Sequence, residues 1–319
     1  MTSRYPVLYR SIQGIALLAV LLSVLLPGWL LNVQLIVALV MILLIGIPHG
    51  ATDYLIFQQL SRPLWGSREL TRFYINYILL MAAFALLWWI LPEAALLVFL
   101  GISIYHFGQS NWNYVDFQSK LEATGTHVLW GSFVLFVPIL WHYETAAPII
   151  GSITGAPAPQ IGGAWREAVS IILLVLNLWL CVYYFVQNRV TRKEFMDEVV
   201  NLFALALLLI NLPLLLGFAI YFVCWHSLSS MMDQIRFFRR QAQSYNVVQY
   251  IKNALPLSLA AIASLGIFAF AQVKMDIPLN IGVVFVFISV VTLPHMILID
   301  QLYQEDDLVS AYNSIDKEF

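Results

Sequence analysis

Ten stretches of this chain are apolar over about the 20 residues that a helix needs to cross a bilayer. Within hydrocarbon, every backbone N–H and C=O must be paired inside the spanning structure, which leaves helices and closed barrels. Barrel strands are short and alternate in polarity. Runs such as Ile15–Leu26 and Leu202–Ile210 do not alternate. The stretches fall at residues 11–32, 34–58, 73–91, 93–113, 126–143, 164–187, 197–213, 217–235, 248–272 and 278–301. Only Pro92–Glu93 separates the third from the fourth, and only Asn211–Pro213 the seventh from the eighth. The expected fold is therefore all-α: a polytopic transmembrane helical bundle of about 8–10 spans, forming one integral membrane domain over residues 1–319.

Composition agrees. The chain is 61% hydrophobic and 11% charged, against about 25% charged in an ordinary soluble domain. That excludes a soluble globular enzyme and a disordered chain. A net charge of −2 gives no basic field for nucleic acid. Cys181 and Cys224 lie in apolar runs and read as small buried hydrophobes. Arg4 and Arg10 precede an apolar run with no small-residue cleavage site, which reads as a retained first span. With the N-terminus inside, 14 of the 16 Lys and Arg face one side, and only Arg166 and Lys274 fall outside. This bias predicts both termini in the cytoplasm of a cell whose inner membrane holds the protein. The loop Glu144–Gly163 reads as a flexible cap or a short re-entrant piece.

The six histidines divide into two sets. His127 and His142 fall at the ends of the fifth span and read as polar tips near headgroups. His49, His106, His226 and His295 fall in the second, fourth, eighth and tenth spans, all running in the same direction. Inner polar landmarks follow them by 13, 10, 10 and 10 residues (Arg62, Asp116, Arg236 and Glu305). At about 1.5 Å per residue, the four imidazoles share one depth near the middle of the bilayer. Ionisable groups there are costly and usually functional. Four at one depth predict a shared metal site; a proton relay or separate packing roles would also account for them. Imidazole suits Fe, Cu, Zn and Ni, and open coordination positions beside histidines suit non-haem Fe(II) that also meets O2.

The flanking residues extend the reading. Asp53 follows His49 by four residues, the spacing of one helix face, and can take the second imidazole N–H. Gly46 and Gly50 leave room for close approach, and Pro48 loosens the helix. Aromatic residues make up 14% of the chain. Tyr105, Phe107, Trp112, Phe222 and Trp225 flank the histidines and are candidates to line a tunnel for a polyene.

Four patches carry a resemblance: Pro48-His49-Gly50-Ala51-Thr52-Asp53, Tyr105-His106-Phe107-Gly108, Trp225-His226-Ser227-Leu228 and Leu293-Pro294-His295-Met296. In order and spacing they resemble the Brp/Blh family of bacterial and archaeal β-carotene 15,15′-dioxygenases. The resemblance implies an integral membrane iron enzyme that uses O2 to cleave the central double bond of β-carotene, giving two retinal molecules. It also implies that His49, His106 and His226 are Fe(II) ligands. Ser230 departs from it, standing where the family pattern places a further histidine ligand. Either His295 supplies the fourth ligand, or three histidines hold the iron, or activity is altered or lost. In the last case the chain would bind or transport a carotenoid or retinoid. Histidines within spans also suit a membrane cytochrome with histidine-ligated haem or a proton-coupled carrier. No mid-span Lys is present for a retinal Schiff base.

Overall fold

A computed structural model describes residues 5–60, 67–274 and 281–315. Arg4, Arg62 and Lys317 of the basic set lie outside them. Among the described residues the regular elements are helical, and eight helices are long and apolar enough to cross a membrane. Two of the expected spans do not meet that measure. The Pro92–Trp112 helix is diluted by the polar run His106–Trp112, and the Arg192–Asn211 helix opens on charged residues. The first two spans also divide earlier than expected. Leu26 breaks the helix and Pro27 starts the next one, at a position where a missing N–H costs nothing.

The chain sorts into two compact units. The first comprises Met1–His49 with Ser103–Phe237, the second Gly50–Ile102 with Phe238–Phe319. In the first, Lys120–Trp141 packs along Gly163–Val186, and Arg192–Asn211 packs on both Pro6–Leu25 and Gly163–Val186. Local chemistry sets the starts of these helices. Ser119 accepts from the Glu122 N–H, and Thr191 with Glu194 forms a reciprocal capping box. One crossing is very tight. A Cβ on Gly108 would lie 1.8 Å from the His127 carbonyl oxygen, and one on Gly131 would lie 1.7 Å from that of Ile104. Only glycine permits that approach.

This crossing corrects the reading of His127. Its ring is buried between Tyr105 and Phe117, not held at a headgroup. His142 is half-buried and donates from Nε2 to the Leu209 carbonyl at 3.1 Å. The loop after it, expected as a flexible cap or a short re-entrant piece, is helical over its first half. Tyr143–Thr154 is a helix, ended by Gly155 at φ 73°. The Tyr143 hydroxyl donates to the Pro159 carbonyl, and Arg166 pairs with Glu144 at 2.9 Å. Both cysteines are buried and free, as expected.

In the second unit, Ile281–Ile315 packs against Ser67–Ile90 and Asp53–Leu60. Phe285 receives Trp88 and Phe99 edge-on.

Candidate metal centre

Two π-helical turns place His49 and His226 of the first unit. They cover Ile42–Gly46 and Tyr221–Ser227. A π turn holds one more residue than an α turn, which re-aims the side chains after it. Pro48 gives the first a cause: with no N–H it cannot bond the Leu44 carbonyl, and the ladder shifts register upstream. His49 follows that turn on the short helix Ile47–Gly50. His226 lies inside the second turn, where the Ser227 hydroxyl donates to the Phe222 carbonyl at 2.9 Å.

The result is a cluster of three buried imidazoles. The His226 ring lies 5.3 Å from that of His49 and 4.8 Å from that of His106, edge to face in both cases. Two of the rings have their Nδ1 atoms committed elsewhere. His49 Nδ1 meets the Gly46 carbonyl of its own helix, and a carbonyl only accepts, so this nitrogen carries the proton. His226 Nδ1 lies 3.2 Å from Ser110 Oγ, whose own proton goes to the Phe107 carbonyl at 3.0 Å. Ser110 therefore accepts from His226. With the proton on Nδ1, Nε2 is the basic nitrogen of each ring, the protonation state in which imidazole ligates a metal.

Imidazole is a donor type that first-row ions take. A nitrogen about 2.1 Å from an ion puts the ring centroid about 3.3 Å away, so rings at right angles to slightly wider have centroids roughly 4.5–5.5 Å apart. The two spacings from His226 fall in that range. As placed, no three His, Cys, Asp or Glu side chains among the described residues converge on one ligand position. What favours a metal here is donor type, the spacing of two ring pairs and the tautomers of His49 and His226.

The tunnel candidates divide. Phe222 stacks on His226 and meets His49 edge-on, at 5.6 Å each. Phe107 lies 4.8 Å from His226. Gly46 makes room for the Phe222 ring, from which a Cβ there would stand 2.9 Å. Tyr105 packs on His127, and Trp112 joins Trp130, Tyr114 and Tyr184 in a separate aromatic cluster. Trp225 turns its indole N–H to the Asn201 side chain.

His295 and Asp53 belong to the second unit. His295 Nδ1 donates to Asp53 Oδ1 at 2.8 Å, and the Tyr77 hydroxyl donates to Asp53 Oδ2 at 3.0 Å. The His295 ring covers Gly50. This corrects the expected pairing of Asp53 with His49. Residues 51–52 form a turn between two helices, so the i, i+4 geometry of one continuous helix does not hold across it. Ser230 is buried and accepts from Gln234 Nε2 at 3.2 Å.

Sequence reasoning missed Ser110, Gln234 and Tyr77. Ser110 had a signal, being four residues beyond His106 on one helix face. Tyr77 had none.

Comparison with known proteins decides the family. The model of the β-carotene 15,15′-dioxygenase family matches residues 40–303. The chain belongs to that family. It is 29% identical over 270 residues to a β-carotene 15,15′-dioxygenase of the uncultured marine bacterium 66A03, covering 84% of this chain and 93% of that one. It is 24% identical over 283 residues to a probable β-carotene 15,15′-dioxygenase, Blh, of Halobacterium salinarum, covering 80% of each. No solved structure is a significant match. His49, His106, His226 and His295 all lie inside the span matched to the family.

Proposed function

We propose that this protein is a membrane dioxygenase that cleaves the central double bond of a carotenoid, β-carotene to two retinal, with O2 as co-substrate. It resides in the cell membrane with both termini in the cytoplasm. The observation that carries the reading is the meeting of His49, His106 and His226 in one buried cluster of a chain with this family's sequence. Those three residues would hold Fe(II), which when bound supplies the activation of O2.

The chain's own side chains do the rest. Gly46 and Ser110 fix the protons of His49 and His226 on Nδ1. Phe107 and Phe222 give an apolar wall beside the imidazoles, suited to a flat polyene. That wall keeps water from the reacting carbons and positions one double bond along the chain of conjugation.

Expression in a carotenoid-accumulating host with pigment analysis tests the activity. The expected result is loss of β-carotene with accumulation of retinal. Undiminished carotenoid with no cleavage product would overturn it. Iron analysis of the purified protein separates the enzyme from a carrier, and a Soret band would mark a cytochrome instead. His295→Ala assigns that residue: loss of iron gives it to the metal, and retention leaves it in the packing of its own unit.

A further inference from the structure

Ser230 is where the resemblance implies another imidazole, and the structure puts a polar clamp there instead. Gln234 lies one helical turn beyond Ser230 and is fully buried. Its Nε2 donates to the Ser230 hydroxyl at 3.2 Å and to the His49 carbonyl at 3.0 Å. The orientation of the amide is decided by chemistry. A backbone carbonyl can only accept, so the –NH2 end must face His49. Both N–H groups of that end are then used.

The clamp holds a weak point. His49 is the penultimate residue of a four-residue helix, with a π turn before it and a turn at residues 51–52 after it. Neither flank offers the regular ladder that fixes a side chain on a long helix. Holding the His49 carbonyl from a neighbouring helix replaces that support. Ser230, with its short hydroxyl, leaves room for the Gln234 amide to reach across.

We propose that Gln234 is a positioning residue for His49, and that the Ser230–Gln234 pair serves in this chain to fix the imidazole's backbone. The proposal rests on the reading of His49 as an iron ligand. Removing a group that orients a ligand typically costs about 10–100-fold in metal affinity.

The test uses the full-length protein in nanodiscs, with Gln234→Leu, Gln234→Glu and His49→Ala. Glu keeps the volume and removes the donor pair. Fe(II) affinity is measured anaerobically by chelator competition, and the nitrosyl EPR signal reports site geometry. Amide hydrogen exchange of the metal-free protein is read at residues 49–53. Both Gln234 variants are expected to bind Fe(II) about 10–100-fold more weakly, with a changed nitrosyl signal. They should exchange faster at 49–53 and unchanged along Lys120–Trp141. Unchanged exchange at 49–53 overturns the proposal, as does faster exchange throughout, which would mark a general core residue. Faster local exchange with unchanged affinity overturns it too. If the unmodified protein and His49→Ala bind no Fe(II), the iron reading falls, and the exchange result alone decides the clamp.

Discussion

At the scale of single residues, the centre is a matter of where protons sit. An imidazole offers a metal one lone pair, on the ring nitrogen that does not carry the proton, and a partner on the other nitrogen sets which one that is. The Gly46 carbonyl does this for His49 and Ser110 for His226. His49→Ala and His226→Ala are expected to abolish bound iron, measured as metal per protein after purification. Ser110→Ala should lower Fe(II) affinity about 10–100-fold, while Ser110→Thr, which keeps the hydroxyl, should restore most of it. Ser230→His reverses the departure from the family pattern. The site is buried and already occupied by the Gln234 amide, so the larger ring must displace it. Overpacking of that kind costs about 1–3 kcal/mol. The expected outcome is a lower melting temperature and no gain in iron.

At the scale of elements, legibility follows periodicity. The spans, the buried cysteines and the three histidines that meet are readable because apolar length and spacing are long-range patterns. What escapes is every feature made by a local break in the helix. Pro48 announces a disturbance, but not that it becomes a π turn at Ile42–Gly46. The turn at Tyr221–Ser227 has no proline to mark it. Placing Asp53 on the face of His49 requires unbroken helix, and the turn at residues 51–52 gives its carboxylate to His295 instead. Likewise, the position of His127 at a span end suggests exposure. Gly108 and Gly131 draw two helices so close that the ring is enclosed. His142 joins elements differently, by donating to the Leu209 carbonyl near the end of Arg192–Asn211. Burial holds its folded-state pKa below the ordinary imidazole value. The unfolded chain then binds more protons as the pH falls. The stability contributed by neutral His142 is present above about pH 6.5 and is lost as pH falls through the folded value. Melting temperature should drop between pH 7 and pH 5, and His142→Gln, which keeps a donor for Leu209, should drop less.

At the scale of the molecule, the shortage of charge and the nature of the substrate point the same way. Exposed residues on the spanning helices are apolar in long series, as along Leu17–Leu26 and Ile171–Val186. Such surfaces belong in lipid. A carotenoid is itself dissolved in lipid, so for the proposed cleavage of β-carotene the concentration that matters is its mole fraction in the bilayer. This separates entry from the membrane from entry through water. With protein and total β-carotene held constant in proteoliposomes below saturation, a tenfold increase in lipid dilutes the substrate tenfold in the bilayer and leaves its bulk concentration unchanged. Entry from the membrane predicts an initial rate of retinal formation about tenfold lower, since rate is proportional to substrate below saturation. A rate that stays constant would mean that substrate arrives from the aqueous side. The apolar excess of the chain would then serve anchoring alone.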